Sequence, residues 1–215
     1  MNTESNAVLH QLFEGDQRYR YGEGLIRIPR LIQEDPLFVE HWAEEDRVRQ
    51  AAVQEMLDWD QVHTVGDYHR AATIFQHGDT LNDAKMAFEL SLKALNLGQP
   101  PGVSLIPRAY DKYIIQQQRG LGAELKHIVQ HYGCQFTTNK QEEIEYVYVT
   151  DGAVMPEELL YFAQPDVSCF IGKTRSAYYE AREEATAQSF AAWEGLTIQG
   201  QKDVVKKLIE AVPTL

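Results

Sequence analysis

The stretch TLNDAKMAFELSLKALNL, residues 80–97, carries the clearest helical pattern of this 215-residue chain. Thr80 followed three residues later by Asp83 has the spacing of a capping box, which begins a helix at the next residue, Leu81. Apolar side chains then recur every three or four residues in two stripes, and charged residues occupy only a narrow edge between them. A helix that is apolar on most of its surface is buried, so this segment predicts the centre of a helical core.

The helical spacing of apolar residues continues on both sides of that segment. Only in the C-terminal half does it give way to the alternation of a β-strand. Further helices are predicted over residues 8–13, 37–59, 107–118, 121–132, 176–193 and 199–212. Alternating side chains over residues 136–138 and 144–150 predict a β-hairpin bounded by Asn139-Lys140 and Asp151-Gly152. The expected fold is therefore mainly α, a bundle-like multi-helix domain with a small β-hairpin in the C-terminal half.

The expected organisation is one globular unit in three parts. Residues 1–36 are taken as an N-terminal arm, since glycines near 22–24 and the prolines at 29 and 36 break regular structure. Residues 37–133 form the helical core. Residues 134–215 supply the hairpin and two helices packed on that core.

Charge and composition exclude some classes of function. The chain has 20 basic and 32 acidic residues, a net charge of -12, which opposes binding to nucleic acid and to anionic membranes. No apolar run approaches the roughly 18 residues of a membrane span, and the first residues lack the features of a signal peptide. Cys134 and Cys169 are too few and too far apart for a disulfide framework or a Cys-x-x-Cys metal site. We expect a cytoplasmic protein with reduced thiols.

Polar side chains concentrate between Tyr68 and Asp79, on a predicted helix that also carries core residues. At about 100° per residue, His69, Thr73 and Gln76 share one face, opposite an apolar one. Asp67 is positioned as the N-cap. Buried polar groups destabilise a fold unless they are hydrogen-bonded, so the pattern indicates either a structural network or a ligand pocket.

His77 is the candidate for acid–base chemistry in this stretch. An imidazole gives and takes protons near neutral pH, and Gln76 and Asp79 would orient a ligand or the ring. The alternative is a histidine at a helix end that binds a backbone carbonyl or a carboxylate.

Asp111 lies within the apolar arc of the helix predicted over residues 107–118, next to Ile114 and Ile115. A buried carboxylate needs a partner, and Arg70 or His77 would bring two helices together around a polar pocket. A structural ion pair that fixes the helix register explains the pattern equally well.

A metal site is an outside alternative. Glu124 and His127 form a Glu-x-x-His pair, and His131 follows one helical turn later, a spacing that places two imidazoles on one metal ion. A ferritin-like site needs a second such pair and two more carboxylates, which the sequence does not offer on a helix. A solvated helix edge is the simpler interpretation.

Short motifs between residues 46 and 124 resemble those of an uncharacterised bacterial family. The family typically carries an Asp-x-x-Asn helix start, a Gln-His-Ala-Asp-like motif, an Ala-x-x-Asp-Arg motif and a Tyr-Gly-Thr-Gln-like end. The matching residues here are Asp46, Gln76, His77, Asp79 and Asp111. The departures are Arg49 for the asparagine, Gly78 for the alanine, Lys112 for the arginine and Leu121-Gly122-Ala123-Glu124 for the last motif. The resemblance nominates positions and implies no reaction or cofactor.

The first functional hypothesis is a pocket that binds a small polar molecule, with or without acid–base catalysis. His77 would carry the proton, Asp111 would orient it and Gln76 would hold the ligand, while His69, Arg70 and Asp79 complete the lining. The second hypothesis is an acidic interaction module of the immunity or adaptor type, whose acidic face from Glu40 to Asp46 meets a basic protein. The sequence specifies no cofactor, no metal requirement and no oligomeric state.

Overall fold

The capping box at the start of the central helix is formed, and the helix is buried on most of its surface. Asp83 N–H donates to Thr80 Oγ1 (3.1 Å), and Thr80 N–H donates back to the Asp83 carboxylate (2.9 Å). Ala87, Leu90 and Leu95 on this helix are at most 1 % exposed. The prediction from residues 80–97 is confirmed.

The computed structural model describes residues 4–20, 22–139, 141, 143–151, 153–154, 156–165, 167–213 and 215. The described helices are α1 Ala7–Gln17, α2 Gly22–Glu34, α3 Phe38–Asp58, α4 Val65–Gln76, α5 Leu81–Asn96, α6 Ile106–Gly120, α7 Pro156–Tyr161, α8 Arg175–Glu194 and α9 Ile198–Ala211. The described strands are β1 Val129–Gln130, β2 Phe136–Thr138, β3 Ile144–Val147 and β4 Val149–Thr150. The fold is mainly α with a small antiparallel hairpin in the C-terminal half, as the sequence predicts.

Helices α4, α5 and α6 form the centre of the bundle, and α1 packs against α4. Leu9 of α1 is fully buried in the same apolar cluster as Ile74, Leu90 and Ile106. Asn6 caps α1 by accepting the N–H groups of Val8 and Leu9. The first helix is therefore part of the bundle.

Helix α2 runs through the segment that the sequence analysis expected to be broken by glycine and proline. Pro29 lies inside it, and because proline has no backbone N–H, the helix lacks one hydrogen bond at this position. At α4 the N-cap is Thr64 and not Asp67, which instead forms the third residue of a capping box.

The helix predicted over residues 121–132 is not formed. Gly122 has φ +82°, which ends the helical path after α6, and a short 3-10 turn, Leu125–His127, leads into β1. Gln118 donates to the Val129 carbonyl (2.6 Å) and accepts from its N–H (3.0 Å), as a neighbouring strand would. Strand β1 pairs in parallel with β4.

The predicted hairpin is confirmed as β2 and β3, which pair antiparallel from Phe136 opposite Val147 to Thr138 opposite Ile144. The end of its predicted second strand, Val149–Thr150, forms β4 and pairs with β1 instead. Its apolar side packs on Tyr178 of α8, which is 1 % exposed. Lys140 and Gly152, predicted as turn residues, lie outside the described residues. Within the part of the chain that the structure describes, no helix is long and apolar enough to cross a bilayer.

Candidate functional site

His77 ends helix α4 and faces the C-terminal half of α1. Its Nδ1 lies 2.8 Å from Oδ2 of Asp16, which is only 1 % exposed. The His77 side chain keeps 23 % of its surface exposed. One ring nitrogen is thus fixed by a buried carboxylate, and none of the described residues hydrogen-bonds the other, Nε2.

The Asp16 carboxylate belongs to a chain of charges that links α1, α3 and α4. Arg20 lies 3.3 Å from Asp16 Oδ1 and donates to Asp46 Oδ2 (2.6 Å). Arg49 donates to the other oxygen of Asp46 (2.8 Å). We call these five residues, Asp16, Arg20, Asp46, Arg49 and His77, the His77 cluster. Its opposite charges are paired at low exposure, where an ion pair is screened less than at the surface.

Lys112 of α6 contacts the chain on either side of His77. Its ammonium donates to the carbonyl of Gln76 (2.6 Å) and to that of Gly78, the last carbonyls of the α4 turn. Burial lowers the pKa of Lys112, and this outweighs the opposite influence of the nearby Asp79 and Asp83 carboxylates. A cation at a helix C-terminus satisfies orphan carbonyls, so Lys112 holds α6 against the end of α4.

Several buried polar atoms in and around the His77 cluster have no hydrogen-bond partner among the described residues. They are Nε1 of Trp42, Nε of Arg49, Oε1 of Gln76 and Oε1 of Gln116. Oδ1 of Asp16 also lacks a hydrogen bond but keeps its 3.3 Å ion-pair contact with Arg20. Arg20 of the cluster lies over the Trp42 ring. Gln76 precedes His77, and Gln116 donates to the carbonyl of Asp79, two residues after His77 (3.2 Å). Orphan buried polar atoms are uncommon in native proteins, and each such atom destabilises the fold by about 1–3 kcal/mol.

Of the predicted site residues, Gln76, His77 and Asp79 lie together at this corner. Gln76 and His77 are half-buried, and Asp79 is exposed beside them. His69 lies apart, where its Nδ1 is 2.7 Å from the Gln99 side chain, and burial lowers its pKa. Arg70 donates to Ser5 (2.8 Å) and lies 3.5 Å from Asp67, so it ties the N-terminus to α4 and is not a counter-charge of His77.

Asp111 does not pair with Arg70 or His77, which corrects the predicted partnership. It is fully buried, and its carboxylate accepts three backbone N–H groups, those of His131, Tyr132 and Cys134, each at 2.8 Å. Gly133, with φ +77°, lets the chain turn around the carboxylate. Burial raises the pKa of Asp111 to about 6, although the three N–H bonds act in the opposite direction.

The residues of the metal alternative are not brought together. Because the helix that would align them is not formed, Glu124 and His127 lie exposed in the turn after α6, where Glu124 pairs with Lys126 (3.0 Å). His131 is buried and its Nδ1 lies 2.7 Å from Asp151. The described residues contain no group of three or more His, Cys, Asp or Glu placed to hold a metal ion.

Asp16 and Arg20 are not among the site residues predicted from the sequence. Asp16 follows Leu9, Leu12 and Phe13 at helical spacing, so it lies within the apolar arc of α1. The same test applied to Asp111, a carboxylate inside an apolar arc, identifies it.

Comparison with known proteins adds no family to this geometry. No protein-family model matches the chain, and neither a curated protein nor a solved structure matches it.

Gly78 lies between His77 and the start of α5. We expect Gly78→Ala to destabilise the protein by about 1–3 kcal/mol. A Cβ at Gly78 would lie 2.5 Å from Cγ of Asp83. That carboxylate cannot move away without breaking the capping box with Thr80. Chemical denaturation measures the change. Gly120→Ala is the matched control, because nothing lies within 4 Å of its Cβ position, and equal losses in both variants would contradict the steric explanation.

Proposed function

We propose that the corner formed by His77 and its neighbours binds a small polar molecule and that His77 exchanges a proton with it. The observation that carries the proposal is the 2.8 Å contact between His77 Nδ1 and the buried Asp16 carboxylate. A carboxylate on one ring nitrogen fixes the tautomer and orientation of an imidazole, leaving the second nitrogen for a proton acceptor or donor.

Asp16 takes the orienting role that the sequence analysis gave to Asp111. Asp16 is a positioning residue, because it acts through the imidazole. Gln76 supplies an amide whose oxygen is unpartnered and Asp79 an exposed carboxylate next to it. A ligand with a hydrogen-bond donor would satisfy the unpartnered oxygen of Gln76.

The acidic interaction module has less support from the charge distribution. Asp46 is paired with Arg20 and Arg49, Glu44 pairs with Arg47, and Glu45 lies 3.3 Å from Arg49. Three of the four carboxylates on the face from Glu40 to Asp46 are thus paired with arginine, which weakens the attraction of this face for a basic protein.

The resemblance to the bacterial family supports the same site around His77. The last motif of that family matches a later segment of the chain better than it matches residues 121–124. Tyr132-Gly133-Cys134-Gln135 shares three residues with Tyr-Gly-Thr-Gln, whereas residues 121–124 share only the glycine. Asp111 accepts the N–H groups of Tyr132 and Cys134, so two motif segments distant in sequence touch. We propose that the chain is a divergent relative of this family.

A thermal-shift screen against a panel of small polar metabolites tests the function. We expect at least one compound to raise the melting temperature of the wild type, and this shift to vanish in His77→Ala and in Gln76→Ala. His127→Ala removes an exposed histidine outside the cluster and should keep the full shift. A compound that stabilises His77→Ala as well as the wild type would place binding elsewhere.

The positioning role of Asp16 has a readout that needs no ligand. In ¹⁵N NMR we expect one dominant tautomer of the His77 ring with the proton on Nδ1, and a mixture of tautomers in Asp16→Asn. An unchanged ring spectrum in that variant would remove the orienting role.

A further inference from the structure

Arg108 of α6 is a half-buried cation that has no carboxylate partner in the part of the chain that the structure describes. Its guanidinium lies over the ring of Tyr179 on α8, 5.9 Å from the ring centroid. Its backbone carbonyl accepts a hydrogen bond from the side chain of Gln135 (3.3 Å), which holds the segment after Cys134 against this turn of α6. An arginine keeps its positive charge at physiological pH, so its half-buried guanidinium favours an anion nearby.

Tyr178, the residue before Tyr179 on α8, carries a buried hydroxyl next to this cation. The two tyrosine rings lie 5.6 Å apart, and Tyr178 is only 1 % exposed. None of the described residues forms a hydrogen bond with its hydroxyl, although that oxygen is shielded from water. Buried hydroxyl groups in native proteins nearly always have a partner, so the hydroxyl of Tyr178 is available to a ligand.

Arg182 brings a second guanidinium to the same place. It follows Tyr178 by four residues on α8, so the two side chains share one face of the helix, with Cβ atoms about 5–6 Å apart. Burial raises the pKa of Tyr178 to about 12, and Arg108 and Arg182 act in the opposite direction. Burial also raises the pKa of the Cys134 thiol, and the same two arginines again oppose it. Since a Coulomb interaction weakens with distance, both guanidinium groups lie near the Tyr178 hydroxyl.

We propose that Arg108, Arg182 and the Tyr178 hydroxyl bind a phosphate group. Two guanidinium groups match the charge of a phosphate near neutral pH, and each can donate two parallel hydrogen bonds to its oxygens. The Tyr178 hydroxyl, which its raised pKa keeps protonated, donates to a further oxygen. A carboxylate has one charge and two oxygens, so it would satisfy these donors less well. The site uses none of the residues of the His77 cluster.

The negative charge of the whole protein does not prevent this binding. A net charge of -12 opposes anions at long range, but charges farther away than about 8–10 Å are screened at physiological salt. Besides burial, the Asp111 carboxylate raises the pKa of Cys134, but it has no comparable effect on Tyr178. The two arginines therefore dominate the electrostatic potential at the Tyr178 hydroxyl.

Isothermal titration calorimetry of the full chain with inorganic phosphate tests the proposal. At neutral pH, with chloride keeping the ionic strength constant, we expect a dissociation constant of about 0.1–1 mM. Arg108→Gln and Arg182→Gln should each weaken binding at least about tenfold, because each removes charge-assisted hydrogen bonds. A titration with glycerol phosphate identifies the source of the group. Tighter binding than that of inorganic phosphate indicates an organic phosphate ester, and equal or weaker binding indicates the free ion; both agree with the proposal.

Tyr178→Phe distinguishes a ligand contact from a structural one. Because the hydroxyl has no partner among the described residues, its removal should not lower the midpoint of urea denaturation in phosphate-free buffer. The same variant should bind phosphate about threefold to tenfold more weakly. A purely structural hydroxyl would give the opposite result, lower stability with unchanged affinity. This conservative change keeps the test decisive if an arginine variant does not fold.

Arg47→Gln is the matched control, since it removes the same charge from an exposed position on α3. It should bind phosphate within about threefold of the wild type. Circular dichroism of each variant checks that the helices are folded. The proposal would be overturned by a wild type that binds no phosphate up to about 20 mM, by wild-type affinity in Arg108→Gln, or by an equal loss in Arg47→Gln.

Discussion

Asp111→Ala is expected to lower the free energy of unfolding by about 3–5 kcal/mol, the largest single-residue loss predicted here outside the apolar core. The substitution leaves the N–H groups of His131, Tyr132 and Cys134 without an acceptor, and none of the three residues is exposed. A buried donor without a partner destabilises by about 1–3 kcal/mol, and three are orphaned at once. Urea denaturation followed by circular dichroism measures the loss.

Asp111→Asn keeps the shape of the side chain but removes its negative charge. The amide oxygen can still accept two of the three N–H groups, but its NH₂ meets the third donor, so we expect a smaller loss of about 1–3 kcal/mol. Asp58→Ala, on the exposed end of α3, should change stability by no more than about 0.5 kcal/mol. A loss in Asp111→Ala no larger than this control would show that the loop at residues 131–134 closes without the carboxylate.

The effect of Asp111→Ala should grow as the pH falls. Burial raises the pKa of Asp111 in the folded protein to about 6 from 3.8. Between these values the folded protein keeps a proton that the unfolded chain has lost, so this group's contribution to stability falls as the pH rises towards 6 and is constant above it. At one pKa unit per 1.4 kcal/mol, the difference between wild type and Asp111→Ala should be about 1 kcal/mol larger at about pH 5 than at about pH 7.5. A difference that is independent of pH would contradict the raised pKa.

Local patterns in this sequence predict local structure well. The capping box of Thr80 and Asp83 involves residues three apart, and the apolar period of α5 is a property of the helix itself. The hairpin likewise follows from alternation over a few residues. Each of these signals needs no knowledge of the rest of the chain.

The segment after α6 shows where such patterns fail. Residues 121–132 have a helical period, yet β1 pairs with β4, about 20 residues away. Strand β4 lies within the strand predicted over residues 144–150, but no local signal indicates that its residues pair with Val129 and Gln130. The buried position of Asp111 is likewise predictable, but its partners are backbone N–H groups, which every residue except proline carries. A buried carboxylate in a sequence predicts a charged side chain such as Arg70 or His77 as its partner, and backbone donors leave no such signal.

The sequence predicts only those residues of the candidate site whose proximity is local. His77, Gln76 and Asp79 are close in sequence, so their proximity follows from the end of one helix. Asp16 reaches His77 from 61 residues away, and only the packing of α1 on α4 brings them together. The sequence can therefore predict His77, but the contact of Asp16 with it follows only from the tertiary packing.

Asp16→Ala is expected to destabilise the protein by about 2–4 kcal/mol, because it removes a carboxylate shared by His77 and Arg20 at 1 % exposure. Arg20 keeps its contact with Asp46, which limits the loss. A double-mutant cycle isolates the term that belongs to the His77 contact. In Asp16→Ala, His77→Ala and the double variant, we expect a coupling free energy of about 1–2 kcal/mol from urea denaturation.

The matched cycle pairs Asp16→Ala with His127→Ala, a histidine exposed in the turn after α6. That cycle should be additive to within about 0.5 kcal/mol, since the residues share no partner. Additivity in both cycles would mean that the Asp16–His77 contact contributes nothing to the folded state, and the proposed proton-carrying role of His77 would lose its structural support. Coupling in the His77 cycle alone would show that the buried carboxylate holds the imidazole in place, as the 2.8 Å contact implies.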